Sequence, residues 1–260
     1  MTKPTIHSDN SKPNTFLETV QATMVNRLAN AYGGNEPIVY EFTDDRALLH
    51  QYFVLREAMY RKMFNTDLFS GEEDIYDKVS HILIARRGKL CLGGCRLTIR
   101  DPEENWDLPM EGKDFHLRDK FPEYPLKLFR HGEISRFAVM EDSGSDDNIF
   151  YNLCSIMYEK VINAKIHFLF AKSTLPLARN WRLVANGFGV KTTKIRMDVQ
   201  VPENPIHPDI KWYITESQLS HLLEVSHDRE PVDVKGFYEP RKVFMPAQQE
   251  NSGLYLVERA

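Results

Sequence analysis

The stretch HGEISRFAV, residues 131–139, falls where an apolar extended segment is expected, yet it carries a glutamate, a serine and an arginine within four positions. In a strand, side chains alternate, so Glu133 and Ser135 are expected to share one face with Phe137, while Ile134 and Arg136 take the other. A charge then points into each layer. Burying a carboxylate or a guanidinium without a partner is costly, so such a strand is either strongly paired or part of a site.

Working outward, the residues before it read as strand, helix and hairpin. PIVYEF has strand character, and TDDRALLHQYFVLREAMYRKMF reads as a helix that Thr43 or Asp44 can cap. Leu48, Leu49, Tyr52, Phe53, Met59, Tyr60, Met63 and Phe64 recur on it at helical spacing and form one apolar stripe. Arg56 lies on that stripe, so its guanidinium needs acidic partners in the interior. GEEDIYD is an acidic loop. VSHILIARRGKLCLGGCRLTIR reads as a hairpin turning at RRGK, with Gly93 and Gly94 marking a bulge or a close backbone approach. A connection rich in proline and charge, DPEENWDLPMEGKDFHLRDKFPEYP, leads to the opening strand.

After that strand come a helix in DDNIFYNLCSIMYEKVINAK, a buried strand HFLFA and a helix STLPLARNWRLVANGF with Pro176 near its first turn. A strand KTTKIRMDVQV, a short strand around WYI and a helix in ESQLSHLLEV follow. This order predicts an α/β three-layer fold on a mixed sheet. The expected division is an N-terminal helical arm over residues 1–35, one domain over 36–225 and a C-terminal extension over 226–260.

The totals exclude several classes. At 260 residues, 42% hydrophobic and 27% charged, the chain is expected to fold as one globular domain with extensions. No apolar run reaches membrane-span length, and the N-terminus MTKPTIHSDNSKPN lacks the apolar core of a signal peptide, which points to the cytoplasm. Cys91, Cys95 and Cys154 read as free thiols, and no metal site is expected because the first two lack further ligands nearby. A net charge of −4 gives no global reason to expect nucleic acid. Local charge says more: residues 160–196 hold eight basic side chains and no acidic one.

Arg56 followed by Tyr60, the acidic run Glu72, Asp74 and Asp77, Arg96 before Leu97, and the string Glu133, Ser135, Arg136 and Phe137 come in a telling order. Together they resemble the acyl-homoserine-lactone synthases, the autoinducer-making branch of the GNAT acyltransferases, and their relatives that make N-acyl amino acids. The resemblance covers roughly residues 38–200. The resemblance implies a three-layer α/β/α fold around a mixed, mostly antiparallel sheet with a V-shaped cleft. It also implies acyl transfer to an amine, with a quorum-sensing signal as the product of the autoinducer branch. The tryptophan that S-adenosylmethionine-using members carry soon after the arginine-aromatic pair is absent, since Trp106 is the first tryptophan of the chain. The expectation therefore leans to an amino-acid-type acceptor. A lactone synthase with S-adenosylmethionine as co-substrate, and a catalytically silent relative that binds an acyl ligand or carrier protein, stay open.

No tightly bound cofactor is expected, and the donor is an acyl-phosphopantetheine thioester. VMEDSGSDDN, where a coenzyme A pyrophosphate would dock, holds the four carboxylates Glu141, Asp142, Asp146 and Asp147, whereas Lys165, Lys172, Arg179, Arg182, Lys191 and Lys194 make a basic face. Acyl carrier proteins are acidic, so this field favours a carrier protein over free coenzyme A. The chemistry needs a base and an oxyanion donor. Glu133 is the candidate base, Ser135 holds water or a substrate polar group, and Tyr158 is the candidate acid for the leaving thiol. A backbone N–H near Phe137 or Ala138 would serve the oxyanion if the strand bulges. Arg56, Arg96 and Arg136 are expected to pair with Asp74 and Asp77 and shape the cleft, beside Tyr60. Phe150, Leu153, Met157, Phe168 and Phe170 either line an acyl tunnel or form plain core.

Overall fold

The structure is a computed structural model that describes residues 36–112, 114–140, 149–202 and 210–220. The expected arm over 1–35, most of the acidic loop 139–148 and the extension over 226–260 lie outside the described residues. In chain order the elements are β1 (Ile38–Phe42), α1 (Arg46–Phe64), β2 (His81–Arg87), β3 (Leu90–Arg100), the single turn α2 (Leu117–Lys120), β4 (His131–Val139), α3 (Ile149–Asn163), β5 (Phe168–Ser173), α4 (Leu175–Gly187), β6 (Lys194–Arg196) and β7 (Tyr213–Gln218).

The strands form one seven-stranded sheet in the order β1-β2-β3-β4-β5-β7-β6. All neighbours are antiparallel except β4 and β5. That parallel pair runs only from His131 opposite Phe168 to Glu133 opposite Phe170. Beyond it, β4 continues to Val139 and β5 to Ser173 without pairing, so the two strands part and leave a fork in the middle of the sheet. The expected V-shaped opening is this fork.

Helix α1 is capped by Asp45 rather than by Thr43 or Asp44, because the Asp45 carboxylate accepts the N–H groups of Ala47 and Leu48 at 2.7 and 3.2 Å. Its apolar stripe packs on one face of the sheet, where Tyr52, Tyr60 and Phe64 meet Ile82, Ile84, Cys91 and Ala138. Helices α3 and α4 cover the other face, with Leu153, Met157, Tyr158 and Trp181 against Leu97, Ile134 and Leu169. The connection over residues 101–130 is not a surface loop. It folds back over β5 and β7 on the α1 side, burying Leu108, Phe115, Phe121 and Leu126 against Phe168, Phe170 and Ile214. Each fully buried side chain of this size contributes roughly 1.5–3 kcal/mol.

Two expectations change here. Glu216, Ser217 and Gln218 belong to strand β7, not to a helix, because they pair with Phe170, Leu169 and Phe168 of β5. In KTTKIRMDVQV only Lys194–Arg196 is strand. Among the described residues, no helix is long and apolar enough to cross a membrane.

Gly94 is fixed by its neighbours. A Cβ there would lie 2.8 Å from the Leu83 carbonyl oxygen and 2.9 Å from the Tyr52 ring, which rests directly on the strand. Gly94→Ala is therefore expected to force Tyr52 or β2 outward at a cost of about 1–3 kcal/mol, read as a fall of several degrees in Tm. An unchanged Tm would show that Tyr52 does not sit against this strand.

Candidate active site

The site is built from the bottom of the α1 side upward. Arg56 and Arg96 are fully buried and meet at one carboxylate. Arg56 donates to Asp77 through two nitrogens at 3.1 and 2.9 Å, and Arg96 donates to Asp77 at 2.9 Å and to both Asp74 oxygens at 2.8 and 2.9 Å. Arg136 reaches Asp74 at 3.2 Å. Arg56 also donates to the carbonyls of Gly71 and Glu72 at 2.9 and 2.7 Å, so Glu72 contributes backbone rather than its exposed side chain. The loop between α1 and β2 is thereby tied to the sheet, and the pairing of Arg56, Arg96 and Arg136 with Asp74 and Asp77 is present as the sequence suggested. Burial works to raise the Asp74 pKa, but Arg96 and Arg136 overcome it and hold this carboxyl near 2.

Strand β4 departs from simple alternation. Gly94 pairs with Ala138 and Arg96 with Ser135, so two residues, Arg136 and Phe137, stand opposite Cys95. Arg136 has φ +59°, in the left-handed region that a non-glycine residue seldom occupies. The bulge is held by the Tyr52 hydroxyl, which donates to the Arg136 carbonyl at 2.5 Å. It also reverses the expected facing. Phe137 joins Ile134 on the α3–α4 side, against Phe150 and Trp181, while Arg136 turns to Asp74 on the α1 side with Glu133, Ser135 and Ala138. The extra residue shifts the pleat by one position, which alternation in the sequence cannot register.

Ser135 is 1% exposed, and its Oγ has no hydrogen-bond partner among the described residues. Glu133 is also 1% exposed, and its Oε2 accepts the Met110 N–H at 2.5 Å, beneath the folded-back connection. Lys172 corrects the docking proposal. It is buried on β5, not on a basic surface, because its position shares the face of Phe170, which pairs with Glu133. Its ammonium lies 5.5 Å from the Trp212 ring centroid, on the side of the fork where Ser135 sits. Lys165, Arg179, Arg182, Lys191 and Lys194 are exposed. Arg196 is paired with Glu123, Asp198 and Glu216, so the basic run is less one-sided in space than in sequence.

Other expected residues are placed elsewhere. Tyr158 is fully buried on the α3–α4 side, stacked on Trp181 with its hydroxyl 3.4 Å from Ser217, and burial raises its pKa strongly. The sheet separates it from Glu133. Tyr60 stacks on Phe69 at 4.6 Å and is core. Phe150, Leu153 and Met157 lie on the opposite face from Phe168 and Phe170, so they cannot line one tunnel. Cys91, Cys95 and Cys154 are buried free thiols, each with its pKa raised by burial. Asp107, Glu111 and His116 approach one another, but both Glu111 oxygens already accept backbone N–H groups at 2.8 Å.

No protein-family model and no curated protein matches this chain. Several solved structures are similar to it over 71–74% of its length. The acyl-homoserine-lactone synthase LasI is 14% identical, with 71% of this chain and 91% of that chain covered and a TM-score of 0.47. The N-acyl amino acid synthase FeeM, from uncultured soil microbes, is 9% identical over 73% and 98%, with a TM-score of 0.45. The coenzyme A-dependent acyl-homoserine-lactone synthase BjaI is 18% identical over 74% and 88%, at 0.46. These are the kinds of protein that the sequence resembles. At identities and TM-scores this low, none carries a function to this chain, whose chemistry has to come from its own residues.

Asp77→Asn is expected to destabilise the fold by about 3–5 kcal/mol in chemical unfolding, because it leaves buried Arg56 without a charged partner and Arg96 with Asp74 alone. Asp74 has its pKa depressed from 3.8, so its contribution is present above about pH 4 and is lost as pH falls toward about 2. Asp74→Asn should therefore flatten stability over that acid window, and an unchanged acid limb would separate Asp74 from its arginines.

Proposed function

We propose that this protein is an N-acyltransferase that moves a fatty acyl group from an acyl carrier protein thioester to the amine of an amino-acid-type acceptor. The observation that carries this reading is the fork itself: a parallel pair that opens beside a locked bulge, with buried Ser135 and Lys172 on its two walls. An extended phosphopantetheine arm suits such a gap, because an open strand edge offers main-chain hydrogen bonds to an extended guest. The backbone turned at Phe137 and Ala138 is then the donor to the thioester oxygen.

The neutral amine attacks the thioester carbon, forming the C–N bond, and the tetrahedral oxyanion rests on the bulge. Glu133 accepts the amine proton through Ser135 and a water. Collapse breaks the C–S bond, and the same proton returns to the departing thiolate. Tyr158, on the far side of the sheet, takes no part. Asp74 is unsuited as the base, since a carboxyl held near 2 has little proton affinity at neutral pH. Lys172 places a positive charge at the fork, where it favours the oxyanion or an acceptor carboxylate. Exposed Arg179 and Arg182 on α4, with exposed Leu183 beside them on the same outer surface, supply a basic patch with an apolar residue at its edge for an acidic carrier.

Glu133→Gln keeps an acceptor for the Met110 N–H, so it is expected to fold normally while turnover falls on the order of 10²–10⁴-fold. Mass spectrometry of extracts from cells expressing each form reads the product directly. Acyl amino acids that vanish in the variant support the proposal, acyl lactones would redirect the acceptor to S-adenosylmethionine, and products unchanged in the variant would remove Glu133 from the mechanism. Reversing charge at Arg179 and Arg182 should raise KM for acyl carrier protein roughly tenfold at low salt and leave acyl-coenzyme A kinetics alone. Equal KM values would sink the docking surface.

A further inference from the structure

At the other end of β4, five residues from the bulge, lies a cavity of about 540 Å³. At roughly 3.3 Å per residue its His131 lies about 17 Å along the strand from Arg136 and about 7 Å from Glu133, where the fork begins. Its volume is within the range of small-molecule sites, roughly 300–1,000 Å³. Apart from Pro102 and Leu126, its lining is polar or charged.

The charges in that lining fall into two groups. Asp101 is held by Arg130 at 2.5 Å. Glu111 accepts the N–H groups of Leu108 and Leu117 and takes a longer contact of 3.3 Å from Arg100. One oxygen of Glu104 accepts the Asp101 N–H at 2.8 Å. In contrast, the side chains of Glu103 and Lys127 make no hydrogen bond or ion pair among the described residues, and Arg118 reaches only Asp119, at 3.8 Å. His131, 3% exposed, has Nδ1 at 3.0 Å from the Phe129 carbonyl. A carbonyl only accepts, so Nδ1 carries the proton and Nε2 is left as an acceptor. Burial, with Arg100 nearby, lowers its pKa and keeps the ring neutral.

Glu103 and Lys127 are thus unengaged and Arg118 holds only the long contact to Asp119, around one cavity with a neutral acceptor in its wall. A simple anion would meet Glu103, and a simple cation would meet Arg118 and Lys127. A molecule bearing both charges satisfies all three. We propose that this cavity is a second small-molecule site that binds a free amino acid, its carboxylate toward Arg118 and Lys127 and its ammonium toward Glu103. The polar lining selects a polar side chain over a fatty one. The inference does not rest on the acyl-transfer reading, because occupancy of the cavity is measured without any turnover.

Isothermal titration of the full-length protein with the standard amino acids, one at a time, tests it. One or more is expected to saturate at one per chain with Kd below about 1 mM. The best ligand is then compared with its N-acetyl form, which lacks the ammonium, and its carboxamide, which lacks the carboxylate. Both should bind about tenfold or more weakly. Arg118→Gln with Lys127→Gln, and separately Glu103→Gln, change exposed side chains and should each weaken binding about tenfold, while Arg179→Gln should not. No saturation by about 10 mM, equal binding of the blocked forms, or indifference to the lining variants would each overturn the proposal.

Discussion

Asp77 is the constraint on which this molecule turns. One fully buried carboxylate accepts from two fully buried arginines, Arg56 of α1 and Arg96 of β3, and from the Asp74 backbone N–H. Helix, sheet and the intervening loop are therefore joined through a single group that none of them can lose separately. Such an arrangement is worth little against a well-packed apolar equivalent, but it is severe against any partial loss, because the surviving charges stay out of water. It fixes geometry more than it adds stability. The geometry it fixes is the wall of the fork, with Asp74 half-exposed at its rim and Arg136 drawn onto it.

The bulge in β4 follows from that wall. Arg136 is pulled toward Asp74 by its side chain while Tyr52 holds its carbonyl, and the residue between these two restraints adopts a left-handed backbone. A conformation of this kind costs on the order of 1–3 kcal/mol for a non-glycine residue and persists only where its surroundings overdetermine it. Tyr52 can reach the carbonyl because Gly94 lets its ring lie on the strand. The parting of β4 from β5 begins just before this point, so the ion network, the bulge and the fork are one linked arrangement.

Glu133, the proposed base, also has a structural task. Glu133 anchors the connection over residues 101–130 through Met110, and that connection in turn seals the apolar surface of β5 and β7. On the same cover, Tyr124 donates to buried Glu216 at 2.6 Å, and burial together with that carboxylate raises the tyrosine to about 12. Buried acids therefore hold this cover down at both ends. Glu133 thus lies beneath a cover of the chain's own making.

The sequence by itself determined the α/β order, the apolar stripe of α1 with Arg56 on it, and the demand that Arg56, Arg96 and Arg136 find Asp74 and Asp77. These were legible because helical and strand periods are local and because a charge among apolar neighbours announces a partner. Only the tertiary structure decided which face Phe137 takes, since one extra residue in a bulge inverts the pleat. It also decided that Lys172 is interior while Arg179 and Arg182 are not, because a strand buried on both faces hides its lysine regardless of the charges around it in the chain. The packing of the connection over residues 101–130 was hidden for the same reason: its apolar residues have no period, and they are buried by the strands they lie across. Burial of that kind depends on contacts far apart in sequence, and no local pattern carries it.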